Sequence, residues 1–301
     1  MTKPAINDLA RDVAKAAATA AGDVDRSARF PVEAVDALRE AQLLSCCLPE
    51  ELGGRGTTVT ELAAVARTMG AACSSAAMVF AMHHTQALTL AHHGTAGPIA
   101  ELTAAIARDE SLLASATTEI TTGGDVGRST CAVERDGDTV ILEKTAPVIS
   151  YGAVADYICT TARRGPDAEP SDQVLVVCPA GDTTLEQIST WDVLGFRGTC
   201  SPGFLLKTRT SAAHVLPVDY STISASTMLP GSHTLWASVW LGIADAALSK
   251  ARDATRSAVR NKPGATVPQA AKLAELTVVH QRFEASVVRA LQRYEEDRKS
   301  T

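Results

Sequence analysis

The hydrophobic periodicity of this chain changes twice along its 301 residues, and that change constrains the fold more than any other feature. Up to about residue 112, and again from about residue 232, apolar residues recur at steps of three and four, the spacing of amphipathic helices. Between these regions lie short runs rich in β-branched residues and separated by turn residues. We therefore predict an α+β chain in three parts. These are an N-terminal helical bundle (residues 1–112), a central small β-barrel or sandwich (residues 113–222) and a C-terminal helical bundle (residues 223–301).

Three helical runs and one tight loop define the N-terminal part. Pro31 precedes the first run, as proline commonly does at the start of a helix. Residues 48–56 contain Pro49 and three glycines, which predicts a tight loop between helices. Residues 74–90 are apolar enough to predict a mostly buried helix. The apolar positions of the first two runs are Val32, Val35 and Leu38, then Leu62, Val65 and Met69.

The central part begins with a predicted hairpin. Asp136 and Gly137 lie between two β-rich runs, residues 130–133 and 139–142, which is the composition of a two-residue hairpin turn. Further strands are predicted at residues 157–161, 174–178 and 204–206. The polar residues 163–172 predict an exposed loop.

Two helical runs make up the C-terminal part. The first passes through Leu235, Val239 and Gly242, and the second covers residues 273–294 with alternating steps of three and four. The second pattern is typical of a helix that packs along a neighbouring helix. Because no Gly or Pro terminator follows it before Thr301, we expect the C-terminal bundle to be incomplete in this chain.

Composition excludes several classes of function. The net charge is -6 and the basic residues are scattered, which argues against a nucleic-acid partner. The chain shows neither a signal-peptide pattern nor an apolar run of about 18 residues, so we expect a cytoplasmic protein without a membrane partner. Its seven cysteines lack Cys-x-x-Cys spacing, which predicts small buried hydrophobic residues, with no disulfide framework or zinc site.

Four histidines occur in two adjacent pairs, His83-His84 and His92-His93. They lack the i, i+4 spacing and the intervening glutamate of a helical zinc site, so we predict no metal. We expect one histidine of each pair to pack inside and the other to face solvent, with His83 lining a cavity.

The densest run of small hydrogen-bonding residues is 115–125, where helix changes to sheet. Threonine hydroxyls and a Gly-Gly turn match the pyrimidine edge and the pyrophosphate of a flavin. Composition alone favours a different interpretation, a Thr-rich loop that crosses the surface. Neither Gly-x-Gly-x-x-Gly after a strand nor a phosphate-binding Gly-x-x-x-x-Gly-Lys-Ser/Thr occurs, so the common nucleotide folds are not indicated.

Four segments resemble motifs of the acyl-CoA dehydrogenase family of flavoproteins. Residues 48–56 resemble its Pro-Glu-x-x-Gly-Gly-x-Gly turn, and residues 118–125 its Thr-Glu-Pro-x-Ala-Gly-Ser-Asp signature. Residues 144–156 resemble the Lys-x-Trp-Ile-Thr-Asn-Gly-x-x-Ala-Asp stretch, and residues 194–201 the Leu-Gly-x-Arg-x-Thr-x-Ser stretch. The resemblance extends along nearly the whole chain.

The resemblance implies an FAD-dependent oxidoreductase of lipid metabolism that carries out α,β-dehydrogenation of an acyl-CoA thioester. It also implies an electron-transfer partner and a homo- or hetero-oligomer, dimeric or tetrameric. Thr117 and Thr118 would lie at the pyrimidine edge of FAD. Gly123 and Gly124 would lie near its pyrophosphate or near the thioester end of the substrate.

Three further positions carry implied cofactor roles. Val148 stands where an aromatic residue of the family shields the flavin, and Ser150 matches the threonine that donates to the flavin N5 atom. Arg260, four residues before Gly264, matches an Arg-x-x-x-Gly pattern at a subunit contact, where it would reach the FAD pyrophosphate of a neighbouring chain.

Several residues depart from the family pattern, and the catalytic residue is unassigned. Ile120 replaces a proline, Gly124 replaces a serine, and the 144–156 stretch is two residues longer than usual. The family's catalytic glutamate, the base for the α proton, is expected on final helices that this chain does not contain. Its alternative position corresponds to Ser232, whose alcohol cannot take an α proton unaided, with His233 where arginine is common. We expect Glu119 to anchor its turn through backbone hydrogen bonds rather than act as the base.

Three hypotheses remain open. The first is the acyl-CoA dehydrogenase-like enzyme. The second is a flavin-dependent monooxygenase of the same fold, in which Ser150 with His83, His84 or His233 would supply hydrogen-bond donors. The third is a non-catalytic or truncated subunit that acts only in a hetero-oligomer, paired through the apolar stripe of residues 273–294.

Overall fold

The chain folds into helices, then sheets, then helices, which confirms the predicted fold class. The structure is a computed structural model that describes residues 4–261 and 269–299. The N-terminal helices are α1 (Ile6–Ser27), α2 (Val32–Glu40), α3 (Val59–Ala72), α4 (Ser74–His93) and α5 (Ile99–Arg108). A Thr58 capping box starts α3, and α4 is buried along most of its length.

Seven short strands form two sheets in the central part, and the described residues contain no closed barrel. In the first sheet β1 pairs in parallel with β4, which pairs antiparallel with β5. The second sheet is antiparallel in the order β2-β3-β7-β6. The strands are β1 (Leu113–Ala116), β2 (Glu134–Asp136), β3 (Thr139–Ala146), β4 (Tyr157–Arg163), β5 (Gln173–Pro179), β6 (Thr183–Gln187) and β7 (Phe204–Ser211).

The predicted hairpin exists, but its first strand and turn were misplaced. Asp136 pairs with Thr139, so Gly137 and Asp138 make the turn, and Gly137 has a φ of 59°. The first strand is therefore residues 134–136 rather than 130–133. Backbone hydrogen bonds of 2.8 and 3.0 Å pair Cys131 and Val133 with Arg163 at the end of β4. The Glu119 carboxylate also accepts from the N–H groups of Thr130 and Cys131, so this segment lies outside the β2–β3 ladder.

The described residues of the C-terminal part, 223–261 and 269–299, lie in helices, with a π-helical segment before the longest one. α6 (Tyr220–Ile223) continues through the π-helical segment (Ser224–Met228) into α7 (Leu229–Asn261), and α8 (Gln269–Lys299) packs along α7. The apolar stripe predicted on α8 is covered unevenly. Val287 and Tyr294 are buried, whereas Leu276 is 53% exposed.

α3 and α7 cross at unusually close range. A Cβ added to Gly242 of α7 would lie 2.0 Å from the carbonyl oxygen of Arg67, and one added to Gly70 of α3 would lie 2.5 Å from the carbonyl oxygen of Val239. Only glycine permits two helix backbones to approach so closely.

An ion-pair cluster holds the same crossing to α8. The Arg67 guanidinium makes hydrogen bonds of 2.5 and 3.0 Å to the two Asp245 oxygens and one of 2.6 Å to Glu284. His280 Nε2 lies 2.6 Å from Asp245 Oδ1. Burial alone would raise the pKa of Asp245, but hydrogen bonds from Arg67 and His280 outweigh it and lower the pKa.

Candidate functional site

Three loop segments of the resemblance motifs lie in the β part: residues 117–125, 148–151 and 196–201. We call them together the motif wall. Tyr151 joins them, because its N–H donates to the carbonyl oxygens of Thr199 and Cys200 at 2.8 and 3.1 Å. Its buried hydroxyl donates to the Leu113 carbonyl at 3.0 Å, on the strand that leads into residues 117–125. Tyr151 has a φ of 43°, so the chain turns sharply after Ser150.

Glu119 anchors the first segment of the motif wall, residues 117–125. Its carboxylate accepts hydrogen bonds from the hydroxyls of Ser129 and Thr130 and from the N–H groups of Thr130 and Cys131, at 2.8 and 3.3 Å for the two N–H donors. The expected anchoring role is therefore confirmed, and side-chain hydroxyls contribute to it as well as the backbone.

The carboxylate of Glu119 also faces a buried lysine. Lys144 Nζ lies 3.2 Å from Glu119 Oε1, with the side chains 0% and 3% exposed, and donates to the Thr161 carbonyl and hydroxyl at 2.7 and 2.8 Å. Burial would raise the pKa of Glu119, but hydrogen bonds from Ser129 and Thr130 and the Lys144 charge lower it to about 2. Burial lowers the pKa of Lys144 against the opposing effect of Glu119. This pair ties the 117–125 segment to β3, in the second sheet.

The predicted cofactor residues of this segment are accessible. Thr117 and Thr118 are half-buried, and within the described chain their hydroxyls make no hydrogen bond. Gly123 and Gly124 are exposed, with φ of 60° and 92°, and a Cβ added to either would meet nothing within 4 Å. Hydroxyls and bare backbone are thus presented on an open surface, as a polar ligand edge requires.

Ser150 lies at the end of a short chain of hydroxyls. Thr199 Oγ1 donates to the Phe196 carbonyl at 2.9 Å and lies 2.8 Å from Ser201 Oγ. Ser201 Oγ donates to Ser150 Oγ at 2.9 Å. Ser201 also reaches the Thr199 carbonyl at 3.3 Å and has one hydrogen for these acceptors. When that hydrogen goes to Ser150, the Ser150 hydroxyl keeps its own hydrogen for another acceptor. Val148, 41% exposed, lies on the same loop.

Arg260 is exposed near the end of α7. Gly264, the other half of its predicted motif, lies outside the described residues. The cofactor role of Arg260 stays a prediction, as do those of the motif-wall residues and the domain boundaries.

The histidine expectation was wrong for the first pair, because His83 and His84 are both buried, at 1% and 0% exposure. His83 Nε2 lies 2.7 Å from the Leu44 carbonyl, and its Nδ1 accepts from the Leu113 N–H at 3.0 Å. Burial lowers the pKa of His83 to about 4 and that of His84 further below its usual value. His83 is therefore a neutral side chain that joins α4 to β1 rather than the lining of a cavity.

Ser232 is buried in the first turns of α7. Its hydroxyl donates to the Leu229 carbonyl at 3.0 Å. His233 Nδ1 lies 2.6 Å from the same carbonyl and must carry a hydrogen to bond with it, so it cannot accept the Ser232 proton. The geometry therefore supplies Ser232 with no general base.

The described residues give no sign of a metal centre or a bilayer anchor. Over residues 4–261 and 269–299 no three His, Cys, Asp or Glu side chains are grouped as metal ligands. In the same part of the chain, no helix combines the length and apolarity needed to cross a bilayer.

Comparison with known proteins links the N-terminal helices to a family. Residues 2–110 match the family model described as acyl-CoA dehydrogenase, N-terminal domain. The chain is 28% identical over 194 residues to a cyclohex-1-ene-1-carbonyl-CoA dehydrogenase of Geobacter metallireducens, covering 64% of this chain and 51% of that protein. It is 25% identical over 248 residues to YngJ, a probable acyl-CoA dehydrogenase of Bacillus subtilis, covering 81% and 65%. The matched region thus spans less than two thirds of either relative.

Solved structures share the fold at low sequence identity. Methanesulfinate monooxygenase MsuC from Pseudomonas fluorescens superposes with a TM-score of 0.83 at 22% identity, covering 98% of this chain and 76% of that one. Butyryl-CoA dehydrogenase from Megasphaera elsdenii superposes with a TM-score of 0.80 at 18% identity, covering 97% and 79%. The resemblance to the acyl-CoA dehydrogenase family is therefore confirmed, and the fold alone is common to dehydrogenases and monooxygenases.

Proposed function

We propose that this relative of the acyl-CoA dehydrogenases is a flavin-dependent oxidoreductase that holds FAD against the motif wall. The observation that carries the proposal is the Ser150 hydroxyl. When it accepts from Ser201 at 2.9 Å, it has a hydrogen left for a ligand acceptor, the role implied at the flavin N5 atom. The buried ion pair between Glu119 and Lys144, which holds the 117–125 segment, also supports the proposal.

Different residues of the motif wall would bind different parts of the flavin. The hydroxyls of Thr117 and Thr118 would hydrogen-bond the pyrimidine edge, and the open Gly123 and Gly124 turn would receive the pyrophosphate. Val148 would pack against the ring face. A bound flavin supplies hydride acceptance, and the protein supplies orientation and a donor at a defined atom.

For the reaction we propose α,β-dehydrogenation of an acyl-CoA thioester, with electrons passed to an electron-transfer partner. Both relatives described above carry acyl-CoA dehydrogenase names, which supports this reaction. The α-proton base is unassigned, since Ser232 is unsuited to that step. We further propose an oligomer in which Arg260 reaches the FAD of a neighbouring chain.

Flavin titration tests the binding proposal. The purified chain should take up FAD with a change in the flavin absorption spectrum, and more tightly than FMN, because FMN lacks the pyrophosphate. Ser150→Ala should weaken FAD binding about three- to tenfold, the effect of one lost hydrogen bond, and lower the reduction potential of the bound flavin. Ser171→Ala, on an exposed loop outside the wall, is the matched control. Absence of FAD uptake, or equal effects of the two substitutions, would contradict the proposal.

A flavin-dependent monooxygenase is the second candidate. The side chain at position 232 favours it. Dehydrogenation with the base at this position needs a carboxylate, whereas Ser232 is an alcohol whose hydroxyl is already hydrogen-bonded. The shared fold of MsuC is compatible with it. Two assays separate the candidates: anaerobic bleaching of bound flavin by acyl-CoA supports dehydrogenation, whereas substrate-dependent oxygen consumption with supplied reduced flavin supports the monooxygenase.

A further inference from the structure

Three hydroxyls of the motif wall form a row that runs from the interior to the surface. The Tyr151 N–H donates to the Thr199 carbonyl at 2.8 Å, and this bond holds the two loops together so that Ser150 lies opposite Ser201. The two inner residues, Thr199 and Ser201, are each 3% exposed. Ser150 is half-buried at the outer end. A buried hydroxyl needs hydrogen-bond partners, so the direction of each bond in the row can be worked out from the acceptors within reach.

The Ser201 hydroxyl has one hydrogen and three acceptors nearby. Ser150 Oγ lies at 2.9 Å and Thr199 Oγ1 at 2.8 Å, whereas the Thr199 carbonyl lies at 3.3 Å. That carbonyl already accepts from the Tyr151 N–H, and 3.3 Å is long for a bond between a hydroxyl and an oxygen. The hydrogen of Ser201 is therefore shared out between two hydroxyl oxygens, those of Ser150 and Thr199.

The hydrogen of the Thr199 hydroxyl decides between these two directions. It can go to the Phe196 carbonyl at 2.9 Å or to Ser201 Oγ at 2.8 Å. The Phe196 carbonyl also accepts from the Thr199 N–H at 3.0 Å, so it has a partner without the hydroxyl. The Ser201 oxygen is buried, and Thr199 is the donor that the described residues offer it. All three hydroxyls are best satisfied when Thr199 donates to Ser201 and Ser201 donates to Ser150.

This direction leaves the hydrogen of the outermost hydroxyl for a ligand. Ser150 accepts from Ser201, and no residue of the described chain accepts from Ser150 in turn. Hydrogen bonds in a row strengthen one another, by roughly 10–30% per bond, because each accepted bond polarises the next O–H group. Ser150 at the end of the row is thus a stronger donor than a serine that stands alone.

The backbone around the row lies in a conformation that favours glycine. Tyr151, Phe196 and Cys200 have φ of 43°, 55° and 43°, and they are three of the six non-glycine residues with positive φ in the described chain. Such residues cost free energy, and they cluster at active sites and ligand contacts, where the surrounding structure holds them. The loops that carry the hydroxyl row are therefore held in place at an energetic cost.

We propose that Thr199 and Ser201 are positioning residues that aim the Ser150 hydrogen at a bound ligand and strengthen it as a donor. The ligand atom opposite Ser150 must then be an acceptor. Under the proposed function, on which this inference rests, that acceptor is the flavin N5 atom. Thr199 and Ser201 act on it through Ser150.

Titration with two forms of the cofactor tests this inference. The probes are FAD and its deazaflavin analogue, in which a C–H group replaces the N5 atom and removes the acceptor. The native chain should bind FAD about three- to tenfold more tightly than the analogue, the effect of one hydrogen bond. Ser201→Ala and Thr199→Val should each weaken FAD binding about two- to threefold and leave binding of the analogue unchanged. Each should also shift the reduction potential of bound FAD in the same direction as Ser150→Ala.

Two matched variants separate this role from packing. Thr199→Ser keeps the hydroxyl and loses a methyl group, so it should bind FAD like the native chain, whereas Thr199→Val keeps the shape and loses the hydroxyl. Thr103→Val removes a hydroxyl of a residue that is 0% exposed on α5, where it donates to the Gly94 carbonyl at 2.8 Å, and should change binding of neither probe. If either Ser201→Ala or Thr199→Val does not fold, the other gives the result.

The outcomes distinguish this inference from the proposed function. Equal weakening of FAD and the analogue by the two variants, or native binding of FAD by both, would overturn the positioning role while flavin binding stands. A loss in Thr199→Ser as large as in Thr199→Val would do the same, because the methyl group and not the hydroxyl would then matter. A native chain that takes up no FAD would overturn both proposals.

Discussion

Replacing Glu119 by glutamine removes the negative charge that faces Lys144 inside the β part. Lys144 would keep its two hydrogen bonds to Thr161 but would be a buried cation, 0% exposed, without a counter-charge. The glutamine NH₂ group would also point donors at Ser129 and Thr130, which are themselves donors in the native arrangement. We therefore expect Glu119→Gln to destabilise the protein strongly.

Two routes give the size of the effect. The pKa of Glu119 is about 2 against an ordinary 4.5, and at about 1.4 kcal/mol per unit this corresponds to roughly 3.5 kcal/mol at neutral pH. Removing one partner of a buried ion pair costs about 3–5 kcal/mol in general, which agrees. Because the folded pKa is lowered, this stabilisation is complete above the unfolded pKa and is lost as the pH falls from 4.5 towards 2.

Urea unfolding at neutral pH, followed by far-ultraviolet circular dichroism, measures the loss. Lys144→Met should cost less than Glu119→Gln, because Glu119 would keep its donors from Ser129, Thr130 and Cys131. The double variant should lose less than the sum of the two single losses by about 1–3 kcal/mol, the usual coupling of contacting residues. A Glu119→Gln loss below about 1 kcal/mol, or additive losses, would refute the reasoning.

Three other predictions concern packing, pH and thiol chemistry. Gly242→Ala should lower the free energy of unfolding by about 1–3 kcal/mol or more, because the added methyl group would meet the Arg67 carbonyl. Ala246→Ser on the same helix is the control. Equal effects of the two substitutions in urea unfolding would contradict this prediction. The pKa of His83 is about 4 in the folded protein against an ordinary 6.5, so between these pH values the unfolded state binds more protons than the folded state. The free energy of unfolding should therefore fall as the pH drops from 6.5 to 4. His83→Gln should remove up to about 1.4 kcal/mol per pH unit from that slope in urea titrations, and an unchanged slope would be contrary evidence. Burial raises the pKa of the Cys46, Cys47, Cys159 and Cys178 thiols. A thiol reagent should therefore label at most Cys200 rapidly in the native protein, and all seven cysteines after unfolding. Fast labelling of several thiols in the native protein would argue against the packing.

Periodicity was sufficient to predict the order of helices and sheets, because burial of one face imposes it on every element. Turn chemistry was sufficient to predict a hairpin at Gly137, but not which residues pair. The segment 130–133 pairs instead with Arg163 of β4, and the carboxylate of Glu119 accepts hydrogen bonds from residues 130 and 131. Such a contact joins residues distant in sequence, so no local pattern indicates it.

The candidate site was predictable in part. Its loops carry small polar residues that suit a flavin, but composition alone favoured a surface loop, and the cofactor contacts were implied by the resemblance. The anchoring role of Glu119 was expected from its place in the resembled signature. The ion pair between Glu119 and Lys144 was not predicted, because these two residues meet only when β3 packs beneath the loop. The histidine pair was interpreted wrongly, since adjacent helix positions normally face different surroundings. α4 is enclosed on nearly all sides, and both His83 and His84 find backbone partners inside.

Hydrogen–deuterium exchange with and without FAD is the most direct test of the central claim, that the motif wall holds the flavin. Adding FAD should slow amide exchange in residues 117–125 and 148–151, where Gly123, Gly124 and the Ser150 loop are accessible. Exchange in α8 should change little in the same experiment. FAD binding that protects α8, or that leaves both loops unprotected, would contradict the account.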